Sequence, residues 1–499
     1  MNIRLNLKTG AWRDQFFVFA ASSMGLLLFE LFFKWKVILS KSLILDDAFM
    51  FERAIHGRSF NDLAAFIPAF ESADLDSSAG LIFYRLLADI SNDIVLLRII
   101  YLCSFSLACA IFGLLVYRIT KDQNFSVLTA IFSFVTPFSP VLVLFTNGSY
   151  NIVYFILFFS AVLIGSYIRS GQPAKTTIWL VLSMTVLLLL SATFVETGFL
   201  FSFAAIIWLF IHCRAFEGHR GRLLFFCSGA VILLQAAWVL QTYSSPYEAM
   251  PGRVNYGLET MFLNGLSIIN RAVVSYFDPM IGTGKLTLQI PLWVSIGFIV
   301  ITLSLYFLAA FKLHRRSLDW SRLKTPLGFI LFVSVCVVLS IGPYTALTRT
   351  HLWHYFPHMI FLSAMSYLLV YFVVSKRGAY LLIFVAAFLT VQTYSRQMPE
   401  YEEIAQQQKL FSILIQHESK TWRDGDRVVL IVETGVLGGM SNTFRSTGLN
   451  RYFADNPDAP IMSIVKGGVA TRVENYIDDD QGVTIAYRME ESGTYKRIR

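Results

Sequence analysis

A chain of 499 residues that is 55 % hydrophobic and only 15 % charged, with a mean hydropathy of +0.58, cannot keep most of its surface in water, because soluble domains run at about 25 % charged. Its net charge of +8 comes from basic residues dispersed between apolar stretches. They form no continuous stripe of the kind that binds nucleic acid, and they read instead as the cytoplasmic-loop excess of a membrane protein.

A hydrocarbon core about 30 Å thick takes about 20 apolar residues per helix. Eleven segments meet that demand in chain order, at 15–35, 94–117, 125–144, 151–168, 176–192, 197–213, 223–243, 290–311, 326–344, 357–374 and 379–395. The first is long and has no small-residue cleavage site after it, so it reads as a retained signal anchor. Pro137 and Pro140 interrupt the third. The pair at 176–192 and 197–213 is close enough to be re-entrant. The span interiors are almost free of charge. Cys103, Cys109, Cys213, Cys227 and Cys336 lie in or beside these segments, without the spacing of a disulfide framework or a zinc site, and read as small packing residues.

Basic residues fall at every second crossing. They are Arg4, Lys8 and Arg13; Arg118 and Lys121; Arg169 and Lys175; Arg214, Arg220 and Arg222; Lys312, Arg315, Arg316, Arg322 and Lys324; Lys376 and Arg377. The alternation puts the N-terminus in the cytoplasm and, after an odd number of spans, the C-terminus outside. Three non-cytoplasmic regions are then long: 36–93, 244–289 and the tail 396–499. The tail is polar, with acidic patches such as Asp478-Asp479-Asp480. It is expected to hold an amphipathic helix from Glu402 to Glu418 and strands at 427–432 and 482–487. The expected architecture is an all-α polytopic membrane domain over 1–395, followed by a small α/β extramembrane domain over 396–499 that docks on it.

The stretch that carries chemistry follows the first span: Leu43-Ile44-Leu45-Asp46-Asp47-Ala48-Phe49-Met50-Phe51. Acidic pairs in polar loops are common, but a pair set among apolar residues at a membrane face costs free energy unless the charge is paired or used. Either carboxylate also suits the N-cap of a helix over Ala48–Ile55, and a cap would hold it in place for chemistry. A long apolar first helix followed by such a pair in the first outer loop resembles the GT-C superfamily of membrane glycosyltransferases. The amphipathic run Leu81-Ile82-Phe83-Tyr84-Arg85-Leu86-Leu87 is similar to that family's membrane-parallel helix. Ser91-Asn92-Asp93-Ile94-Val95-Leu96-Leu97-Arg98 looks like its approach to the second span, and Phe194-Val195-Glu196-Thr197-Gly198 resembles its polar break between two close helices. By pattern the resemblance covers roughly residues 15–215. Beyond that only the topology matches. Within the superfamily the chain looks most like bacterial O-antigen-modifying glucosyltransferases.

The resemblance implies a GT-C-like fold of about eleven transmembrane helices with the first catalytic loop at 36–93. It implies inverting transfer of a sugar from a polyprenyl-phosphate donor to a hydroxyl of a cell-envelope glycan or lipid-linked acceptor, on the periplasmic side of a bacterial inner membrane. Asp46 or Asp47 would be the base that takes the acceptor proton. The leaving lipid phosphate needs positive charge, which Arg supplies with bidentate geometry. The residues chosen for donor and substrate binding are Arg85, Arg98, Glu196, Arg253 and the short loop containing Arg349, His351, Trp353 and His354. That loop suits phosphate binding and sugar stacking, and equally an interfacial anchor. His351 and His354 lack a third nearby ligand, so no metal or other cofactor is assigned, although some superfamily members use a divalent cation. Two other readings stand beside this one: an O-antigen polymerase or ligase, and a transporter or flippase of lipid-linked sugars.

Overall fold

The structure is a computed structural model. It describes residues 9–40, 93–136, 147–167, 174–194, 198–212, 257–274, 320–345 and 356–423, four strands of the tail with a few residues beside them, and scattered helical residues between 223 and 237 and at 300 and 304. Ten helices fall within these limits: α1 (Thr9–Ile38), α2 (Ile94–Thr120), α3 (Gln123–Phe134), α4 (Asn147–Ser166), α5 (Ala174–Phe194), α6 (Gly198–His212), α7 (Leu258–Val274), α8 (Trp320–Thr345), α9 (Phe356–Leu369) and α10 (Lys376–Glu418). All but α7 coincide with expected spans. The expected span at 290–311 lies almost wholly outside the described residues, and 223–243 is represented only by isolated helical positions.

Three stretches, Trp12–Ile38, Ile94–Thr120 and Lys376–Arg396, are long and apolar enough to cross a membrane. Their outward faces are apolar too: Phe16, Leu28, Phe32 and Trp35 on α1, and Leu381, Phe384 and Phe388 on α10, are exposed. Water does not tolerate apolar area on that scale, so these faces meet lipid and the protein is integral to a membrane. Inside, α1, α2 and α3 pack on one another, α2 packs on α4, and α3 on α9. Phe112, Phe134, Phe155, Phe159 and Phe361 form a continuous aromatic centre across α2, α3, α4 and α9.

Small residues let the first three helices approach closely. A Cβ added at Gly113 of α2 would stand 2.6 Å from Ser22 Oγ on α1 and 3.3 Å from Ala130 Cβ on α3. Gly113→Leu is therefore expected to lower stability by about 3 kcal/mol through overpacking, while Gly113→Ala costs less because the Ser22 hydroxyl can turn aside. Thermal unfolding of the two variants in the same detergent checks the order. Equal midpoints for Leu and Gly would mean that the three helices do not meet there.

The α2–α3 connection is a two-residue turn. Lys121 caps α2 with φ of 56°, and the Asp122 carboxylate caps α3 by accepting from Phe125 N at 3.1 Å. The same carboxylate accepts from the hydroxyls of Tyr371 and Tyr380 and pairs with Lys376 at 2.7 Å. Burial works to raise its pKa, but these hydrogen bonds and the Lys376 charge prevail and hold it below the usual carboxylate value. Any stability the group contributes is thus present above that ordinary value and is lost as pH falls through the lowered one. The clasp fixes the start of α10, whose own cap is Ser375 Oγ accepting from Gly378 N at 2.9 Å.

α10 runs 43 residues without a break, with Pro399 inside it. The sequence suggests instead a span ending at 395 and a separate helix from 402. At 1.5 Å per residue α10 is about 64 Å long, roughly twice the hydrocarbon core. Its far end carries a four-stranded sheet in the order β2-β1-β3-β4, formed by β1 (Val428–Val432), β2 (Met462–Lys466), β3 (Ile485–Met489) and β4 (Tyr495–Arg497). β1 pairs in parallel with β2 and β3, and β4 is antiparallel to β3. A central parallel strand is covered on both faces, which suits the unbroken apolar run of β1. The expected strands at 427–432 and 482–487 fall on β1 and β3, and β2 and β4 are additional. Tyr487 of β3 ties the sheet to the helix. Its hydroxyl donates to Glu418 Oε2 at 2.8 Å and accepts from Trp422 Nε1 at 3.1 Å. Burial pushes the Tyr487 phenol up; the Trp422 bond opposes this and the Glu418 carboxylate adds to it.

Candidate active site

Of the residues singled out from the sequence, Arg98 alone lies among those described. Asp46, Asp47, Arg85, Glu196, Arg253, Arg349, His351, Trp353 and His354 lie outside them. What the structure does describe is the frame on which the segment 41–92 is mounted, at the end of α1 and the start of α2.

α1 ends at Ile38, and its last carbonyls need partners. Arg98, in the second turn of α2 and 2 % exposed, supplies them. Its Nη1 donates to Val37 O at 3.0 Å and to Ser40 O at 2.9 Å. A guanidinium is well suited to this place, because cations are stabilised at helix C-termini. The start of α2 is fixed as well, by Asp93, whose carboxylate accepts from Val95 N at 2.9 Å. One side chain thus joins the two ends of the segment 41–92. The tie reaches 61 and 58 positions back along the chain, beyond the local pattern that makes Arg98 a phosphate-binding candidate.

One turn deeper lies a polar group that the sequence reading missed. Glu30 and Lys34, four residues apart on α1, form an ion pair with side chains 0 % and 1 % exposed. Lys34 Nζ also donates to the Tyr394 hydroxyl of α10 at 3.1 Å and sits 4.2 Å from the centre of its ring. The Tyr394 hydroxyl reaches Thr136 O at 3.0 Å and Glu30 Oε1 at 3.3 Å. It has one proton for these two acceptors. Thr136 O is available because α3 stops at Phe134, and the residue before a proline, here Pro137, is pushed out of helical geometry. A Glu and a Lys spaced four apart in an otherwise apolar helix were the signal in the sequence, and averaging over the whole span hid it.

α10 passes the exit of α1 a second time, where Lys36 Nζ pairs with Glu402 Oε2 at 2.9 Å. The end of α1, the start of α2, the end of α3 and the middle of α10 therefore converge near Ser40, from which the Asp46-Asp47 segment continues. Among the described residues no group of three His, Cys, Asp or Glu side chains is placed to hold a metal ion.

No protein-family model and no curated relative matches the chain. Among solved structures it is similar to ArnT from Cupriavidus metallidurans bound to undecaprenyl phosphate, at 9 % identity and a TM-score of 0.46, over 94 % of this chain and 92 % of that one.

Proposed function

We propose that the chain is a membrane glycosyltransferase. It moves a sugar from a polyprenyl-phosphate donor to a hydroxyl of a cell-envelope glycan or lipid-linked acceptor at the non-cytoplasmic face. The observation that carries this reading is the Asp46-Asp47 pair, set among apolar residues a few positions beyond Ser40, in a segment whose two ends Arg98 joins. A carboxylate that must act on one acceptor hydroxyl needs a fixed mounting, because misplacement by about 1 Å costs orders of magnitude in rate.

In this reading one of the two carboxylates takes the acceptor proton as the acceptor oxygen bonds to the anomeric carbon. The bond from that carbon to the phosphate oxygen breaks with its electron pair, and attack from the opposite face inverts the anomeric configuration. The lipid phosphate leaves with increased negative charge. Arg85, Arg253 and Arg349 are the cations proposed to receive it, with Trp353 as a stacking surface for the sugar and Glu196, His351 and His354 as further substrate contacts. The bacterial inner membrane, an O-antigen-type acceptor and a periplasmic tail domain belong to the same proposal.

The buried Glu30–Lys34 pair gives the flippase reading one observation, since transporters place ionisable residues within spans. Here, however, the pair is internally neutralised and buried. Purified protein in liposomes, offered a panel of radiolabelled polyprenyl-phosphate sugars with envelope-glycan acceptors, is expected to transfer label to the acceptor. Movement of the intact lipid-linked sugar between leaflets without transfer would replace the enzyme reading with the flippase.

A further inference from the structure

The chain holds two charges, a phenol and a backbone carbonyl together just beneath the outer end of α1. Lys34 is one helical turn short of Ile38, about 6 Å by the rise of a helix. Tyr394 lies near the outer end of the apolar part of α10, which closes at Arg396. Thr136 lies two residues past the end of α3. Three chain segments thus meet on one hydroxyl at the level where the first loop departs.

A buried ion pair is a poor source of net stability, because removing two charges from water offsets much of their attraction. What such a group supplies is direction. The bonds from Lys34 to Tyr394 and from Tyr394 to Thr136 O and Glu30 form together at only one height and rotation of α1 against α10. Apolar contacts around them, such as Phe29 and Phe33 against the Tyr394 ring, tolerate sliding that these bonds do not. The second link between the helices, Lys36 to Glu402, has side chains 55 % and 33 % exposed, so solvent screens it and it fixes little.

We propose that Glu30, Lys34 and Tyr394 are positioning residues. They set the register of α1 against α10, and with it the departure point of the first loop relative to the helix that carries the sheet of the tail. The consequence for turnover rests on reading that loop as catalytic, whereas the register itself does not.

The test uses the full chain in lipid bilayers, with Lys36→Cys and Glu402→Cys joined by a short bis-maleimide linker and the 36–402 product identified by peptide mapping. Tyr394→Phe removes the hydroxyl and keeps the ring. It is expected to slow this cross-link at least threefold. It is also expected to lower kcat for transfer from a polyprenyl-phosphate sugar about tenfold while leaving the donor KM within twofold, with kcat counted per folded molecule in the monodisperse fraction so that loss of folded protein does not enter. The paired change Glu30→Gln with Lys34→Gln leaves no lone buried charge and should shift both readouts the same way, so the proposal stays testable if the phenylalanine variant fails to fold. Cross-linking at the parent rate in both variants would overturn the proposal. If the parent chain transfers no sugar at all, the glycosyltransferase reading fails by itself, and the cross-linking arm still decides the register.

Discussion

Asp46→Asn and Asp47→Asn are expected to separate one carboxylate from the other. The variant that loses the base should transfer sugar about a hundredfold to ten-thousandfold more slowly, the range that a positioned general base contributes. Asn keeps the size and most of the hydrogen bonding of Asp but cannot accept the acceptor proton. The loss should therefore appear in kcat, with donor KM little changed, and the pH profile of the slower variant should lose its acidic limb. The partner variant should retain more activity, with its defect in acceptor KM if that residue orients the acceptor. Two variants that both turn over at the parent rate would remove the first loop from the chemistry and bring Glu196 forward as the next carboxylate to test.

Arg98→Met should have the second largest effect, and the two parts of that effect differ in size. On stability the terms oppose one another. The change spares the burial of a polar head group, which is favourable, and it strips partners from Val37 O and Ser40 O, which is not. Val37 O keeps the Ser40 N–H at 3.1 Å and its hydroxyl at 2.8 Å, so that carbonyl stays partnered. A charged hydrogen bond to one such group contributes about 1.5–3 kcal/mol, which sets the scale of the expected loss. The effect on transfer should be greater, a fall of tenfold or more, because the two ends of the 41–92 segment are no longer joined. Thermal unfolding and single-turnover transfer on the same preparation measure both. A large fall in stability with parent-like turnover of the folded fraction would mean that Arg98 serves only the fold.

Much of the helical frame was legible because apolar length is a strong signal. The starts and ends of α2, α4, α5 and α6 lie within a few residues of expected spans, and Asp93 is a readable cap. The continuity of α10 was not legible. Ser395, Arg396 and Gln397 close the apolar run and Pro399 follows them, so hydropathy divides what the backbone keeps whole. A proline removes one intrahelical bond, and here the Ser375 cap and the Tyr394 contacts before it, and the Tyr487 tie to the sheet after it, hold the helix on either side. β2 and β4 were missed for a different reason: Met462–Lys466 and Tyr495–Arg497 are short and mixed in character, and pairing with β1 and β3 defines them as strands. The site shows the same division. The Asp46-Asp47 pair stands out in the sequence because it interrupts an apolar run, whereas the bonds of Arg98 and Tyr394 reach residues 58 and 258 or more positions away, a separation that no local pattern records.

The spacing of Glu30 and Lys34 also bears on how the chain enters the membrane. Lys34 of α1 is made 360 residues before its partner Tyr394 of α10. At about 5–20 residues per second that is a wait of roughly 20–70 s. Two lone charges within the span would oppose insertion throughout that time. Because the carboxylate and the ammonium are four apart on the same helix, they can neutralise each other before any neighbour exists. The segment can thus enter the bilayer nearly neutral, and its polar contact to Tyr394 is completed only when α10 arrives.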